Sequence, residues 1–467
     1  MRLLDFRDRS YWKLMIAFGL PIAIQNLIFN SFTLVDNILV GGLGDANIAA
    51  VGVANKLSFI FGVFLFGINS GSNIFSAQFW GKKDLAGVRK VLGLSLMFGL
   101  GVSIPFALGG IIFPGFIVSI FSDNPDVIRE GAIYLSIVAW TYPISAVSSS
   151  FSIQSRGVGR TKVPLAASAV ALTLNAILDY VLIYGKLGLP MMGVKGAAIA
   201  TLVAKIVECL IIIGITYAKK YELAAKLSDF KGYNTEFMLR FIKPVSPVIL
   251  NELLWAVGVT VYAYFYGEIG TEALATVQIL DVINGIFVSL FMGIGNACGA
   301  IIGNLIGAGE DDTARVYAKR SVLVGIVFSA VMAVLLLKTS HFFLSFFNIS
   351  QTTLEICKIT IRVYAAFMIP KMINLIMIVG VCRGGGDTVF AAIIDVGAPW
   401  FIGIPMAYLG VRVFNFPVYY VVLMIQFEEL TKSIFSIARL ISGKWLHNLV
   451  KDFEHSESKL EAEAQAS

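Results

Sequence analysis

Three polar side chains interrupt two long apolar stretches of the chain. Asn175 and Asp179 lie four residues apart within 163–184, and Asp36 lies in another apolar stretch near the N-terminus. In an α-helix this spacing places two side chains on one face, so an amide and a carboxylate can be presented together. A carboxylate at membrane depth costs about 2.5–3.5 kcal/mol, so such acids commonly bind a proton or a cation. We expect a site for Na⁺ or H⁺ here; the alternative is a structural hydrogen-bonded pair of acids.

The composition is that of a polytopic membrane protein. Of 467 residues, 57% are hydrophobic and 14% are charged, whereas soluble chains carry about 25% charged residues. A helix that crosses the membrane needs about twenty apolar residues. Twelve such spans are predicted, at 14–40, 47–79, 90–116, 129–152, 163–184, 193–217, 243–266, 272–306, 317–337, 354–381, 389–410 and 417–441.

Lysine and arginine are distributed unevenly between alternate loops. One set of loops, together with both termini, carries about five times as many as the other set, and cytoplasmic segments are the enriched ones. We therefore expect a multi-pass protein of the plasma membrane, the inner membrane of the cell, with both termini cytoplasmic. The net charge of +6 then reflects topology, and no nucleic-acid partner is expected.

The residue types that carry most enzyme chemistry form no pattern in this sequence. The four cysteines have no CxxC spacing, the three histidines are scattered, and there is no Walker-type glycine loop. The sequence therefore predicts a protein that is not an enzyme, has no cofactor and does not use ATP directly.

The two halves of the chain resemble each other. A shift of 226 residues places PIAIQNL at 21–27 on PVILNEL at 247–253, and one further residue places RGVGRT at 156–161 on RGGGDT at 383–388. Since the shift spans an even number of crossings, both copies run the same way through the membrane, which is a parallel repeat. The predicted fold is an all-α polytopic membrane protein with 12 transmembrane helices in two six-helix lobes. The predicted divisions are an N-lobe at 1–217, a cytoplasmic linker at 218–242, a C-lobe at 243–441 and a cytoplasmic tail at 442–467.

The twelve spans in two halves, the two loop motifs, the proline helix that leads to Asp36, and the Asn175 and Asp179 pair together resemble the multidrug and toxic compound extrusion (MATE) family. The resemblance covers essentially the whole chain. It implies a secondary active antiporter for multidrug efflux that exports cationic or amphipathic small molecules in exchange for Na⁺ or H⁺ by alternating access. The cation site of the family's N-lobe maps onto Asp36, Asn175, Asp179 and Thr201.

Both coupling ions are compatible with these residues. Carboxylate, amide and hydroxyl oxygens are suitable ligands for Na⁺, and a proton could instead occupy Asp36 or Asp179, because neighbouring acids do not readily ionise together. Tyr142, next to Pro143, is a further candidate for this network or an aromatic anchor at the membrane interface.

The second half carries different acids, which are secondary candidates. Some branches of the family place a cation site in the C-lobe, formed by a glutamate of the seventh helix, here Glu252, and an aspartate after the tenth, here Asp387. Asp387 could equally cap the next helix or pair with Arg383. Asp281 in the eighth span and Asp395 in the eleventh are the remaining candidates.

Pro21 is the candidate conformational hinge. A proline inside a helix removes a backbone hydrogen bond and clashes with the preceding turn. We expect a kink about four turns before Asp36, which would link ion occupancy to cargo release.

The expected partners are cationic or amphipathic drugs and membrane lipids, and internal duplication makes a monomer sufficient. The alternative function is a lipid-linked saccharide flippase of the same superfamily, which would share the two-lobed frame. Its pyrophosphate cargo would require a more cationic cavity than the few basic residues in the spans suggest. Those basic residues are Lys56, Lys205, Lys371 and Lys432.

Overall fold

The computed structural model describes residues 8–230, 233, 235–347 and 349–451, without the side chains of residues 33, 34, 37 and 45. This part of the chain is helical, and its only extended pairing is an isolated bridge between Gly386 and Leu446. Of the predicted tail at 442–467, residues 442–451 belong to the described part and the remainder lies outside it.

The helices of the first half follow the predicted spans in order. The first two are long, as expected from apolar stretches that exceed the thickness of a bilayer. They are α1 (Arg9–Gly41), α2 (Asp45–Gly81), α3 (Leu85–Ile112), α4 (Pro114–Ser119), α5 (Pro125–Val138), α6 (Thr141–Gly157), α7 (Lys162–Tyr184) and α8 (Gly193–Ala218).

The second half repeats this order after a short 3₁₀ turn at Leu227–Phe230. Its helices are α9 (Thr235–Ile269), α10 (Thr271–Gly307), α11 (Asp311–Leu344), α12 (Gln351–Ala366), α13 (Met368–Leu375), α14 (Thr388–Ala398), α15 (Ile404–Tyr408), α16 (Val418–Ile425) and α17 (Phe427–Ser442). Three π-helical segments, Ile376–Cys382, Pro399–Gly403 and Leu409–Val413, continue α13, α14 and α15.

In the described part, nine helical spans have the length and composition to cross a membrane, and two bent pairs raise the number to eleven. The helices α16 and α17 occupy the twelfth predicted span. The helix α9 begins at Thr235, eight residues before the predicted start of the seventh span at 243. Its prolines, Pro244 and Pro247, lie inside a continuous helix.

The two bent pairs occur at equivalent places of the repeat. The pair α5 and α6 is bent by 47°, and the pair α12 and α13 by 48°. Each second helix has a proline at its third position, Pro143 in α6 and Pro370 in α13. Proline donates no backbone hydrogen bond and so permits a break between helices. The sequence contained this signal, but the predicted spans did not include the bends.

The chain divides into two compact units, one of Ile24–Phe241 and one of Met1–Ala23 with Ile242–Ser467. The first division falls inside α1, two residues after Pro21. Before this point α1 is held by the second half: the hydroxyls of Tyr11 and Ser321 are 3.0 Å apart, and Arg320 binds Asp8 at 2.8 Å. Burial opposes ionisation of Asp8, but the hydrogen bond and charge of Arg320 lower its pKa below the usual value.

Close helix packing in the second unit depends on glycine. A Cβ atom at Gly293 of α10 would lie 2.5 Å from the Cβ of Ala23 and 2.8 Å from the carbonyl oxygen of Gly19, both in α1. A Cβ atom at Gly299 would lie 3.1 Å from the carbonyl oxygen of Val379. Such small residues let helices approach closely where lipid provides no hydrophobic drive for association.

The replacement Gly293→Ala should therefore destabilise the protein. The added methyl group has no room, and overpacking of this kind costs about 1–3 kcal/mol. We expect a lower melting temperature in detergent, measured by tryptophan fluorescence. The control is Gly101→Ala in α3, where no atom lies within 4 Å of the added Cβ; it should leave the melting temperature unchanged or raise it. Equal melting temperatures for the two variants would contradict the packing role of Gly293.

Candidate functional site

The unit formed by Ile24–Phe241 contains a cavity of about 660 Å³, within the usual range of about 300–1,000 Å³ for small-molecule sites. Residues of α1, α2, α5, α6 and α8 form its wall. Rings of Phe29, Phe32, Phe59, Phe61 and Phe66 provide much of the aromatic part. The serine and threonine residues of the wall are Ser58, Thr141, Ser145, Ser148, Ser149, Ser152 and Thr201.

The predicted acids of the first half meet at this cavity. Asp36 of α1 lines it, and Asn175 and Asp179 of α7 are completely buried. The carboxyl groups of Asp36 and Asp179 interact with each other, and the side-chain amide of Asn175 lies beside the carboxyl group of Asp179. The structure therefore brings together the three side chains with which the sequence argument began.

Several of their oxygen atoms have no hydrogen-bond donor among the described residues of the protein. In the described part, Oδ1 of Asp36, Oδ1 of Asn175 and both carboxylate oxygens of Asp179 are buried without a hydrogen bond. Unpaired polar atoms are costly in a medium of low dielectric constant, and two carboxylates at close range repel each other. A proton or a metal cation between them removes both costs. Carboxylate and amide oxygens are also the ligand type that hard cations prefer, so these residues fit either ion.

Two hydroxyl groups complete the surroundings of the acids. Thr201 of α8 lines the cavity and donates a hydrogen bond to the carbonyl oxygen of Ala197 at 3.0 Å. The buried hydroxyl of Tyr134 in α5 lies beside Thr201 and within electrostatic range of Asp36 and Asp179. Sequence reasoning missed Tyr134, since a tyrosine in an apolar span gives no signal of what its hydroxyl faces.

Tyr142 is buried in the cavity wall rather than placed at the membrane interface. Its hydroxyl lies 3.0 Å from that of Ser58, and its ring packs on Phe61 with 4.7 Å between centroids. In the described part its hydroxyl contacts Ser58 rather than either acid, so its position favours a role in shaping the cavity.

An ion pair with a buried glutamate and a partly buried lysine borders the acidic cluster. Lys205 Nζ lies 2.9 Å from Glu208 Oε2, both on α8, and Ser168 donates to the other oxygen of Glu208 at 2.7 Å. Lys205 also lies 5.3 Å from the ring centroids of Phe29 and Phe32 and interacts electrostatically with Asp36. Glu208 was not among the predicted site residues, although it is an acid inside a predicted span, the same signal that Asp36 gives.

A hydrogen-bonded chain continues from this pair to the loop motif. The Gln25 amide donates to Ser168 at 3.2 Å and to Ser152 at 3.1 Å. Its oxygen accepts a hydrogen bond from Arg156 Nη2 at 2.8 Å. Gln25 belongs to the segment PIAIQNL at 21–27 and Arg156 to the loop motif RGVGRT at 156–161. The two motifs that reveal the repeat are therefore in contact within the first half.

The acids of the second half have partners of their own. Arg383 binds Glu252 at 2.6 Å, and Arg439 binds Asp387 at 2.7 Å. The side chain of Asp387 makes no capping hydrogen bond to α14, and its arginine partner is Arg439 rather than the expected Arg383. Proximity along the chain favoured Arg383, but only tertiary packing brings α17 to this loop.

The two other secondary candidates lie in different surroundings. Asp395 accepts a hydrogen bond from Asn251 at 3.0 Å and lies 3.4 Å from Lys432. Asp281 is exposed and has Lys371 as an electrostatic neighbour. Glu428, which was not among the predicted site residues, lies 3.8 Å from Lys432 and accepts a short hydrogen bond from Tyr262.

Pro21 lies in the interior of α1, and the helix is continuous on both sides of it. Its role as a hinge stays a prediction.

Comparisons with known proteins agree with this architecture. The family model MatE matches residues 21–181 and 247–409, two segments whose starts are separated by the repeat distance found in the sequence. Probable multidrug resistance protein YoeA of Bacillus subtilis is 26% identical over 86% of this chain and 87% of its own length. Probable multidrug resistance protein NorM of Thermotoga maritima is 24% identical over 93% of both chains.

A solved structure of similar fold is the outward-facing conformation of a multidrug resistance MATE family transporter of the MOP superfamily. It has a TM-score of 0.84 at 18% identity and covers 93% of this chain and 97% of its own. The prediction of an all-α fold with 12 transmembrane helices in two six-helix lobes is confirmed.

The ion pair of Lys205 and Glu208 should be strongly coupled. Removal of one partner leaves a buried charge, which costs about 3–5 kcal/mol, whereas removal of both does not. We expect Lys205→Met and Glu208→Gln each to lower the melting temperature, and the double variant to be more stable than either. The control pair, Glu355 and Lys358, has the same spacing and a distance of 2.8 Å but is exposed. Its coupling should be below about 1 kcal/mol. Additive effects at Lys205 and Glu208 would contradict the pairing.

Proposed function

The chain belongs to the MatE family, and we propose that it is a secondary active multidrug efflux antiporter that exports cationic or amphipathic small molecules in exchange for Na⁺ or H⁺ by alternating access. It is a membrane transporter and not an enzyme. The observation that carries the proposal is the group of buried, unpaired oxygens of Asp36, Asn175 and Asp179 beside a cavity of drug size. The names of YoeA and NorM, both probable multidrug resistance proteins, support the same function.

The proposed coupling follows from competition for one negative charge. Asp36 lines the cavity, whereas Asp179 is enclosed behind it. A cationic molecule near Asp36 and an ion between the two acids both draw on the same carboxylates, so binding of one weakens binding of the other. In an antiporter this exclusion is what links entry of the ion to departure of the cargo.

The cavity wall suits cargo of varied shape. Rings of Phe29, Phe32 and Phe59 face it, and aromatic faces attract organic cations through their quadrupoles. Serine hydroxyls on α6 provide donors and acceptors without a fixed charge. Such a wall binds apolar and cationic groups with little demand for one exact shape.

Placement in the membrane is part of the proposal. We infer an N-lobe at 1–217 and a C-lobe at 243–441, joined by a cytoplasmic linker at 218–242, in the plasma membrane with both termini cytoplasmic. Arg160 and Glu222 support a defined linker, since they form two hydrogen bonds of 2.9 and 2.7 Å. Burial opposes ionisation of Glu222, but the hydrogen bonds of Arg160 lower its pKa below the usual value.

Neutralisation of the cavity acids should abolish coupled transport. In proteoliposomes with Na⁺ and H⁺ gradients imposed separately, the parent should accumulate a cationic dye under one gradient. Asp36→Asn and Asp179→Asn should reduce uptake to the level of protein-free vesicles while the melting profile stays cooperative. Asp126→Asn, an exposed acid outside the cavity, is the matched control and should transport normally. The effective gradient identifies the ion. Normal ion-driven uptake by both cavity variants would refute the proposed site.

The proposed orientation can be tested by labelling. In intact cells, a membrane-impermeant maleimide should modify Lys186→Cys, in the loop between α7 and α8, but not Lys219→Cys at the end of α8. Both positions are exposed, so the difference should arise from the membrane alone, and permeabilisation should make the two equal. Three of the four native cysteines, Cys298, Cys357 and Cys382, are buried, and Cys209 is partly buried, so the unsubstituted protein gives the background to be subtracted. Labelling of Lys219→Cys alone in intact cells would reverse the orientation.

A further inference from the structure

Arg156 is a buried cation in the wall of the cavity. It lies in the last turn of α6, is 5% exposed and lines the same cavity as Asp36. Burial of a charge in a medium of low dielectric constant is costly unless an opposite charge lies next to it. Arg156 therefore requires an anionic partner.

The protein does not provide one among the described residues. The side-chain partner of Arg156 is the neutral oxygen of Gln25, and its Nε atom has no hydrogen-bond partner. Glu208, the acid linked to it through Gln25 and Ser168, is already paired with Lys205. By contrast, buried cations of the second unit are each paired with a carboxylate: Arg320 with Asp8, Arg383 with Glu252, and Lys432 with Asp395.

The repeat allows the buried arginines of the two loop motifs, one in each half, to be compared directly. Arg156 and Gln25 are separated by 131 residues, and so are Arg383 and Glu252. In each half the arginine of the loop motif binds a side chain of the proline segment, but that partner is glutamine in the first half and glutamate in the second. Glu252 lies one position after Asn251, the residue on which the 226-residue shift places Gln25. The arginine of the second half has an internal counter-ion, and that of the first half does not.

Polar side chains on the same helix face accompany Arg156. Ser145, Ser149 and Ser152 precede it at helical spacing, and all line the cavity. A guanidinium group presents five N–H donors in a planar fork that matches a carboxylate, and serine hydroxyls can donate to the same group. Arginine and hydroxyls together form a suitable surface for a monovalent oxyanion.

The cavity is therefore polarised along α1. Asp36 lies eleven residues beyond Gln25, which corresponds to about 16 Å along a helix, comparable to the length of a drug-sized molecule. Lys205 and Glu208 neutralise each other between the two ends. Of the charged residues that line the cavity in the described part, Asp36 and Arg156 remain without a charged partner in an ion pair.

We propose that Arg156 forms an anion subsite and that the cargo is an amphiphile with a carboxylate or sulfonate group, which binds Arg156 while its cationic or aromatic part lies toward Asp36. This assignment rests on the proposed efflux function and specifies its substrate class. It also gives a role to the missing counter-ion: the cargo provides it, so that Arg156 selects molecules by their negative group.

The test uses two fluorescent dyes that differ only in this group, rhodamine B, which has a free carboxylate, and its ethyl ester. Binding to the purified full-length protein is measured by fluorescence anisotropy. Arg156→Gln should weaken binding of the carboxylate dye by about tenfold or more, the effect of losing a charge-assisted hydrogen bond, and leave the ester within about twofold. Arg160→Gln, in the same loop motif and outside the cavity wall, is the control and should bind both dyes like the parent.

A second variant provides the internal counter-ion of the other half. Gln25→Glu reproduces the pair of Glu252 and Arg383, so it should fold, and it should also weaken binding of the carboxylate dye selectively. A third measurement needs no variant: hexane-1-sulfonate should displace the carboxylate dye from the parent at lower concentrations than hexan-1-ol, which has the same chain but no charge.

The outcomes separate the two proposals. Selective loss of the carboxylate dye in both variants supports the anion subsite. The anion subsite is overturned if the variants bind both dyes equally more weakly, or if the alcohol displaces the carboxylate dye as readily as the sulfonate does. In either case, ion-driven uptake of the ester would leave the proposed efflux function intact. Failure of the parent to bind either dye overturns the subsite, and failure to transport any cationic dye under either gradient counts against the efflux function itself.

Discussion

A charge inside this helical bundle must have a partner, because neither lipid nor apolar side chains can solvate it. Most of the charged residues in the described helices satisfy this constraint within the protein. Lys205 and Glu208 pair on one helix, and Arg383 and Glu252 connect a helix to a loop motif. Asp36, Asp179 and Arg156 are in no ion pair among the described residues, and Asp36 and Arg156 line the same cavity. The residues that break the rule are therefore those to which we assign ligands.

The duplication conserves the framework and varies its chemistry. Both halves have a bent helix pair with a proline at the third position of the second helix, Pro143 and Pro370, because a proline produces the same break in either copy. Both halves also join the arginine of the loop motif to the proline helix. The partner of that arginine is glutamine in the first half and glutamate in the second, so the contact is a hydrogen bond with a neutral group in one half and an ion pair in the other. A small change of this kind can give two copies of one fold different ligands.

Glycine has a comparable structural role in the second unit. The close approach of α10 to α1 at Gly293 brings Tyr11 and Asp8, near the start of α1, to their partners on α11. The N-terminal half of α1 thereby belongs to one compact unit and its remainder, which carries Asp36, to the other. Pro21 lies just before this division, which is the reason to retain it as the candidate hinge.

The sequence determined the number and order of the spans, the repeat, and the meeting of Asp36, Asn175 and Asp179. Hydrophobic stretches are read directly from composition, and a polar residue in a span is conspicuous against its neighbours. The start of α9, the helix bends and the partner of Asp387 were beyond this reasoning. Tyr134 and Gln25 were beyond it too, since a residue's type does not reveal which neighbour its polar atoms face. Pairing of buried charges depends on contacts between distant segments, and only the tertiary structure decided which acids have a partner and which remain available for a ligand.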